Sequence, residues 1–256
     1  TLRALELLDA DDATELVVVV SKPPDRAVAE ELERRVRRLG KPVLLALLAE
    51  GRPDLTSTAK DVVETAGGSW KPPVTHPGAV RDGRPGGFLR GLFAGGTLCY
   101  EAMLLAAGEV GTVASNVPLP GCPALDVGLR AEGHTMIDFG DDRLTRGRPH
   151  PMIDGSIRVE RLRGEVDDPT TGVVLLDVVL GLGAAEDPAG ELAEAVSAAT
   201  EAGLPVVAAV VGTKDDPQDL DQQCDTLRGA GAWVTTSNAA AARTALGLLR
   251  DKEPAA

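Results

Sequence analysis

Aromatic side chains are nearly absent: two tryptophans, one tyrosine and three phenylalanines make up 2% of 256 residues, whereas hydrophobic residues as a whole reach 43%. The cores must therefore be filled by Val, Leu and Ala, which suits α/β layers whose strands are near-continuous aliphatic runs covered on both faces. Cysteine is scarce too. Cys99, Cys122 and Cys224 lie far apart, form no CxxC pair and are odd in number, which argues against a disulfide framework or a zinc site and points to a reducing compartment. Positive charge is in deficit, with 26 Lys and Arg against 39 Asp and Glu and a net charge of −13. That balance argues against a nucleic-acid or anionic-membrane partner, so an anionic ligand has to be held by local donors. No apolar run approaches transmembrane length, and no basic segment followed by an apolar core opens the chain, so a cytoplasmic location is expected.

What is present in concentration is one polar stretch. Gly133 to Asp154, GHTMIDFGDDRLTRGRPHPMID, holds two of the three histidines, three arginines and three glycines. It has neither a helical period nor a sustained alternation, so it reads as a short strand near Thr135–Phe139 running into a long polar loop. Long polar loops carry function or are simply solvated, and on this stretch alone both readings stand.

Taken in order, the chain alternates helix and strand. A helical stripe at Leu2–Leu8 is followed by a buried strand at Leu16–Val20, a helix from Arg26 to Leu39 closed by Gly40, a strand at Pro42–Leu48 and a helix at Thr58–Ala66 capped by Thr56 or Ser57. The chain opens at Thr1 already inside a helix, so the natural polypeptide is expected to start earlier. Prolines and glycines mark a linker over 71–87, in which His76 reads as exposed. Then come strands at Phe88–Ala94 and Val110–Asn116, the polar stretch, a long aliphatic run at Val173–Leu180, a helix after Gly181-Leu182-Gly183, a strand at Val206–Val211, a helix at Leu220–Ala230, a short strand at Ala232–Thr235 and a closing helix at Asn238–Leu249. The last six residues are expected to fray.

The two halves repeat. Asp11-Asp12-Ala13-Thr14 before VVVV answers Asp167-Asp168-Pro169-Thr170 before VVLLDVVL, and Lys41-Pro42-Val43 answers Leu204-Pro205-Val206. Two lobes of one α/β fold with mainly parallel sheets follow, a first partial lobe at 1–70 and a second at 88–250.

GGTLCYEA, DDPTTGVVLLDVVLGLG and the paired Pro-Val strands resemble the flavodoxin-like CoA-ligase lobes of the succinyl-CoA synthetase superfamily. RGLFAGGTLCYEA, HTMIDFGDDRLTRGRPHPMID and VVLLDVVLGLGAAEDPA are similar within it to FdrA-type proteins, a resemblance that implies an acyl-CoA synthetase. The resemblance implies a first lobe that is incomplete here and a helix before Asp167. It also implies work with partner subunits or a homo-oligomer, and carbamoyl transfer linking oxalurate and phosphate with oxamate and carbamoyl phosphate in purine breakdown. The alternatives are CoA ligation and a noncatalytic assembly subunit. CoA or a nucleotide, if used, would sit on an upstream part or a partner. One departure matters: where the superfamily carries a phosphorylated histidine, this chain reads AEGRPDLTSTAKDVVETAG, without histidine. No phosphohistidine relay operates at that place, and direct transfer from an acyl or carbamoyl phosphate needs none.

Open α/β lobes bind ligands beyond the carboxyl ends of their strands. The candidate anion donors are therefore the amides at Gly95, Gly96 and Thr97 and those at Gly181 and Gly183, with Arg148 or Arg146 as a clamp. Asn116, Asp138 and Gly140 lie on neighbouring loops, Asp138 alternatively as a hydrogen-bonding group on an edge strand. His150 is the expected proton carrier, with Asp154 to orient it, while His134 reads as structural. No metal set is expected.

Overall fold

A computed structural model describes residues 1–249, so the tail expected at 251–256 lies outside the described residues. The chain divides into two compact units, Thr1–Pro72 and Pro73–Ala256.

The first unit runs α1 (Leu2–Ala10), β1 (Val17–Ser21), α2 (Arg26–Val36), β2 (Val43–Leu47) and α3 (Leu55–Thr65), with β1 and β2 paired in parallel. Leu5, Val17, Leu32 and Leu47 form its small core. Helix α2 ends three residues earlier than its periodicity suggests. The carboxylate of Asp9 accepts the Gly40 and Lys41 amides, each at 2.9 Å, and draws the chain out of the helical path towards β2. Helix α3 is capped not by Thr56 or Ser57 but by Asp54, whose side chain accepts from Ser57 N at 2.7 Å.

The second unit contains β3 (Phe88–Phe93), α4 (Gly96–Val110), β4 (Val113–Ser115), β5 (His134–Asp138), the single turn α5 (Asp142–Thr145), α6 (Ser156–Asp167), β6 (Thr171–Val179), α7 (Pro188–Glu201), β7 (Val206–Val211), α8 (Leu220–Gly229), β8 (Trp233–Thr235) and α9 (Asn238–Leu249). Its six strands are all parallel, in the order β4-β5-β3-β6-β7-β8. Helices α6, α7 and α8 cover one face, where Leu92, Ile137, Leu176, Leu192 and Leu227 are buried together, and α4 and α9 pack on the other. With both faces covered, β6 can be aliphatic at nearly every position, and Val173 to Leu176 are fully buried. The segment expected as a linker is tied to this unit from Pro73 onwards. His76 bridges Val234, Trp233 Nε1 donates to Val80 O at 2.8 Å, and Gly83 N donates to Leu248 O at 2.8 Å.

The internal repeat is visible as geometry, displaced by one residue. Asp11 and Asp168 follow the last residues of α1 and α6, and each carboxylate accepts the hydroxyl of the threonine that leads into the next strand, Thr14 at 2.6 Å and Thr170 at 2.7 Å.

His134 opens β5 as a structural residue. Its Nδ1 accepts the Leu89 amide at 3.0 Å, and its ring meets Phe88 edge-to-face at 5.4 Å. Burial and the nearby Arg90 cation hold its pKa below the ordinary 6.5. The unfolded chain therefore binds more protons on the acid side, so the stability that neutral His134 contributes is present above pH 6.5 and lost as pH falls below it. We predict that the urea midpoint drops more between about pH 7.5 and about pH 5.5 in the native protein than in His134→Gln. Equal drops would remove His134 from this account.

Candidate functional site

The chain leaves β3 for β4 at the edge, returns to β5, and then crosses to β6 on the other side of β3. The carboxyl ends of β5, β3 and β6 therefore meet at a switch point, the place where open parallel sheets receive ligands.

The turn at the end of β3 is fixed from below. Ala94 N donates to Asp177 Oδ1 at 2.7 Å, and the same oxygen accepts from an Arg158 terminal nitrogen at 2.8 Å. Both side chains are buried, Asp177 completely and Arg158 at 3% exposure. Burial pushes the Asp177 carboxyl up, while the Arg158 cation and the Ala94 N–H pull it back. Arg158 is lowered chiefly by its own burial. With Ala94 pinned, the chain turns through Gly95 into α4, which has no side-chain cap. Its first bond runs from Cys99 N to Gly95 O at 3.2 Å. Among the described residues, the amides of Gly96 and Thr97 have no protein acceptor, and they sit at the positive end of a fifteen-residue helix. From the other side, Asn238 at the start of α9 donates to Leu98 O at 3.0 Å and to buried Glu101 at 2.7 Å, which fixes the first turn of α4.

His150 reaches this turn. Its Nδ1 accepts the Met152 amide at 3.2 Å, so the neutral ring carries its proton on Nε2. A Cβ placed on Gly140 would lie 2.6 Å from His150 Nε2 and 2.7 Å from Ala94 O, so only glycine lets the imidazole edge lie against the ends of β5 and β3. Met152 follows suit: its Cε would be 3.0 Å from a Cβ on Gly95, and its carbonyl accepts Ala185 N at 2.8 Å. Residues 150–152 thus bridge the loops that follow β3, β5 and β6.

The other expected residues divide. Asp138 is not on an edge strand, because β5 lies between β4 and β3. It is 4% exposed, and its Oδ1 accepts the Gly140 amide at 2.9 Å. Asn116 is occupied: its side chain donates to Asp138 O and accepts Asp138 N, both at 2.9 Å, extending the β4–β5 pairing by one residue. Asp154 does not orient His150. Its Oδ1 accepts Ser156 N at 2.9 Å at the start of α6, and that bond, helped by Arg148, keeps its pKa low. Arg146 and Arg148 are exposed on the loop, whereas Arg143 is anchored to Asp141 and the Asn116 carbonyl. Gly181 is not a free donor. Its N–H goes to Gln218 Oε1 at 3.1 Å, and Gln218 Nε2 donates back to Gly181 O at 2.9 Å. Gly183, at φ +85°, is exposed beside Leu182. The arrangement therefore brings His150, Gly140 and the Gly95–Thr97 turn together and leaves Gly181 in a structural role. Four cavities of about 400 to 510 Å³ lie elsewhere in the two units, one of them lined by Asp154 and none by His150, Gly140 or Gly95–Thr97.

Sequence reading passed over Asp177 and Arg158. The available signal was an acid inside a continuous aliphatic strand, since a carboxylate covered on both faces requires a buried partner.

The family model described as CoA-ligase matches residues 92–248. The uncharacterized protein YahF of Escherichia coli (strain K12) is 35% identical over 263 residues, an alignment that takes in 93% of this chain and 51% of YahF. The chain thus spans about half the length of that curated relative. Among solved structures, the apo form of Ca. Korarchaeum cryptofilum dinucleotide forming acetyl-coenzyme A synthetase 1 superposes with a TM-score of 0.40 at 13% identity, covering 97% of this chain and 56% of that one. Its complex with phosphate and ADP gives 0.40 at 14% identity with the same coverage.

The buried pair makes a sharp stability prediction. Asp177→Leu leaves Arg158 charged and unpaired and is expected to cost about 3–5 kcal/mol in urea unfolding, while Asp177→Leu combined with Arg158→Met recovers most of that loss. If the double variant is as unstable as the single one, Arg158 is not held by Asp177.

Proposed function

The chain belongs to the CoA-ligase family, and from that premise we propose that it forms the part of an acyl-CoA-synthetase-like enzyme that holds an acyl or carbamoyl phosphate at the start of α4. The observation that carries this reading is that the His150 imidazole and the Ala94 carbonyl, which leads into the uncapped start of α4, both close on Gly140, while Met152 of the same loop packs on Gly95. Backbone N–H groups at a helix start donate to phosphate oxygens without further charge, which suits a protein of net charge −13. Arg146 and Arg148, exposed on the same loop as His150, are available to a ligand that settles there.

The finer reading is carbamoyl transfer of the FdrA type, within an assembly that includes partner subunits. A phosphate oxygen attacks the carbamoyl carbon of oxalurate, the carbon–nitrogen bond breaks, and the departing nitrogen takes up the proton that phosphate gives up, leaving oxamate and carbamoyl phosphate. His150 suits the transport of that proton, with the α4 amides holding the phosphate charge. Two features favour this over nucleotide-driven CoA ligation: no histidine occurs between Ala49 and Gly67, and the GRPHPMID segment is the most distinctive part of the resemblance to FdrA-type proteins.

The test is to assay the complete assembly with oxalurate and phosphate, and separately with succinate, CoA and a nucleoside triphosphate. Carbamoyl phosphate is expected only in the first reaction, and its rate is expected to fall about 10²-fold or more in His150→Gln. Product formation only in the second reaction would overturn carbamoyl transfer, and an unchanged rate in His150→Gln would remove the imidazole from the chemistry.

A further inference from the structure

A cavity of about 400 Å³ lies at the opposite ends of the strands, where β3 and β5 begin and α6 ends. Phe88 and Ala131 supply apolar wall, and three arginines, Arg90, Arg130 and Arg161, line it in a chain otherwise rich in acid.

Two of the three acids in the wall, Glu165 and Asp168, are engaged by neighbouring donors. Glu165, 2% exposed, accepts from Arg161 Nε on one oxygen and from Thr171 Oγ1 on the other, and that second oxygen lies 3.3 Å from Arg90 Nε. Asp168 accepts both the amide and the hydroxyl of Thr170, and Arg90 stands 3.9 Å away. The carbonyls at the end of α6, which would repel an anion, are covered by Arg84, which donates to Val166 O and Asp168 O at 3.3 Å.

The donors are in surplus. Arg161 uses Nε on Glu165 and one terminal nitrogen on Leu129 O at 2.9 Å, leaving the other terminal nitrogen. Among the described residues Arg130 makes no hydrogen bond, and it acts on Asp168 only through space. Thr135, 1% exposed and part of the lining, has a buried hydroxyl without a partner. Glu132 stands exposed at the rim. A cavity with unused guanidinium donors, an unpartnered buried hydroxyl and an apolar wall is complementary to a planar acceptor on a short hydrocarbon body.

We infer that this cavity is a binding site for a small organic carboxylate, separate from the α4 corner and independent of the function proposed there. The carboxylate takes the Arg130 fork and the remaining Arg161 nitrogen, and its carbon chain lies on Phe88 and Ala131.

Nuclear magnetic resonance of protein labelled with nitrogen-15 on backbone and arginine side chains tests this, with butyrate and inorganic phosphate as separate probes. Butyrate is expected to shift the Arg130 and Arg161 Nε signals saturably, with affinity reduced about tenfold or more in Arg130→Gln and unchanged in Thr97→Asp, which places a carboxylate at the other site. Arg130 is exposed, so its replacement leaves the fold intact. Absence of a saturable butyrate shift, equal affinity in Arg130→Gln, or a phosphate response at Arg130 as strong as that to butyrate would each overturn the assignment. Phosphate shifts confined to the Gly96 and Thr97 amides report on the α4 corner alone.

Discussion

Asp177 carries the arrangement at the carboxyl ends of the strands. It sits inside the most aliphatic strand of the protein, completely buried, where an unpaired carboxylate would cost several kcal/mol. It is tolerated because Arg158 reaches across from α6 and because Ala94 N, the amide that ends β3, donates to the same oxygen. One buried group thus joins β6, α6 and the turn into α4. That turn exposes the helix amides, and α6 is the helix entered directly from the His150 loop, so the ion pair sets the floor on which both halves of the candidate site rest.

The two ends of the sheet use charge differently. At the carboxyl end, backbone dipoles are left open and the nearby side chains are mostly engaged with the backbone: Asn116 and Asp138 with each other's strand ends, Asp154 with the start of α6, Gln218 with Gly181. At the amino end, the backbone is covered and guanidinium groups are left with spare donors. Helix dipoles account for the contrast. The start of α4 attracts negative charge without help, whereas the end of α6 needs Arg84, Arg90 and Arg161 to neutralise its carbonyls and its acids, Glu165 and Asp168.

The fold was legible wherever a buried run was aliphatic and bounded. Strand β7 and helix α9 have the limits read from sequence, because a six-residue Val/Ala run and an alanine-rich stripe are each sharply bounded. Helix α6 was accessible only through family resemblance. Its buried positions are Arg158, Leu162 and Glu165, so the stripe that should be apolar is two-thirds charged and the periodicity disappears. The cap of α3 was misplaced because Asp54, Thr56 and Ser57 all have capping side chains, and only coordinates show which carboxylate or hydroxyl meets a free amide. At the site, sequence pointed to the right loops but not to their contacts. His150 packs on Gly140, ten positions earlier in the numbering, rather than against Asp154 four residues on. Gly181 looked like Gly96 by residue type, yet its amide is taken by Gln218 from the loop that precedes α8.

The central claim is that the start of α4 and the imidazole of His150 form one anion site. A crystal structure of the protein soaked in inorganic phosphate tests it most directly. The account predicts phosphate density within hydrogen-bonding distance of the Gly96 and Thr97 amides, with His150 Nε2 facing the same ion. Phosphate bound elsewhere while this corner holds only water, or an imidazole turned away from an ion bound there, would contradict it.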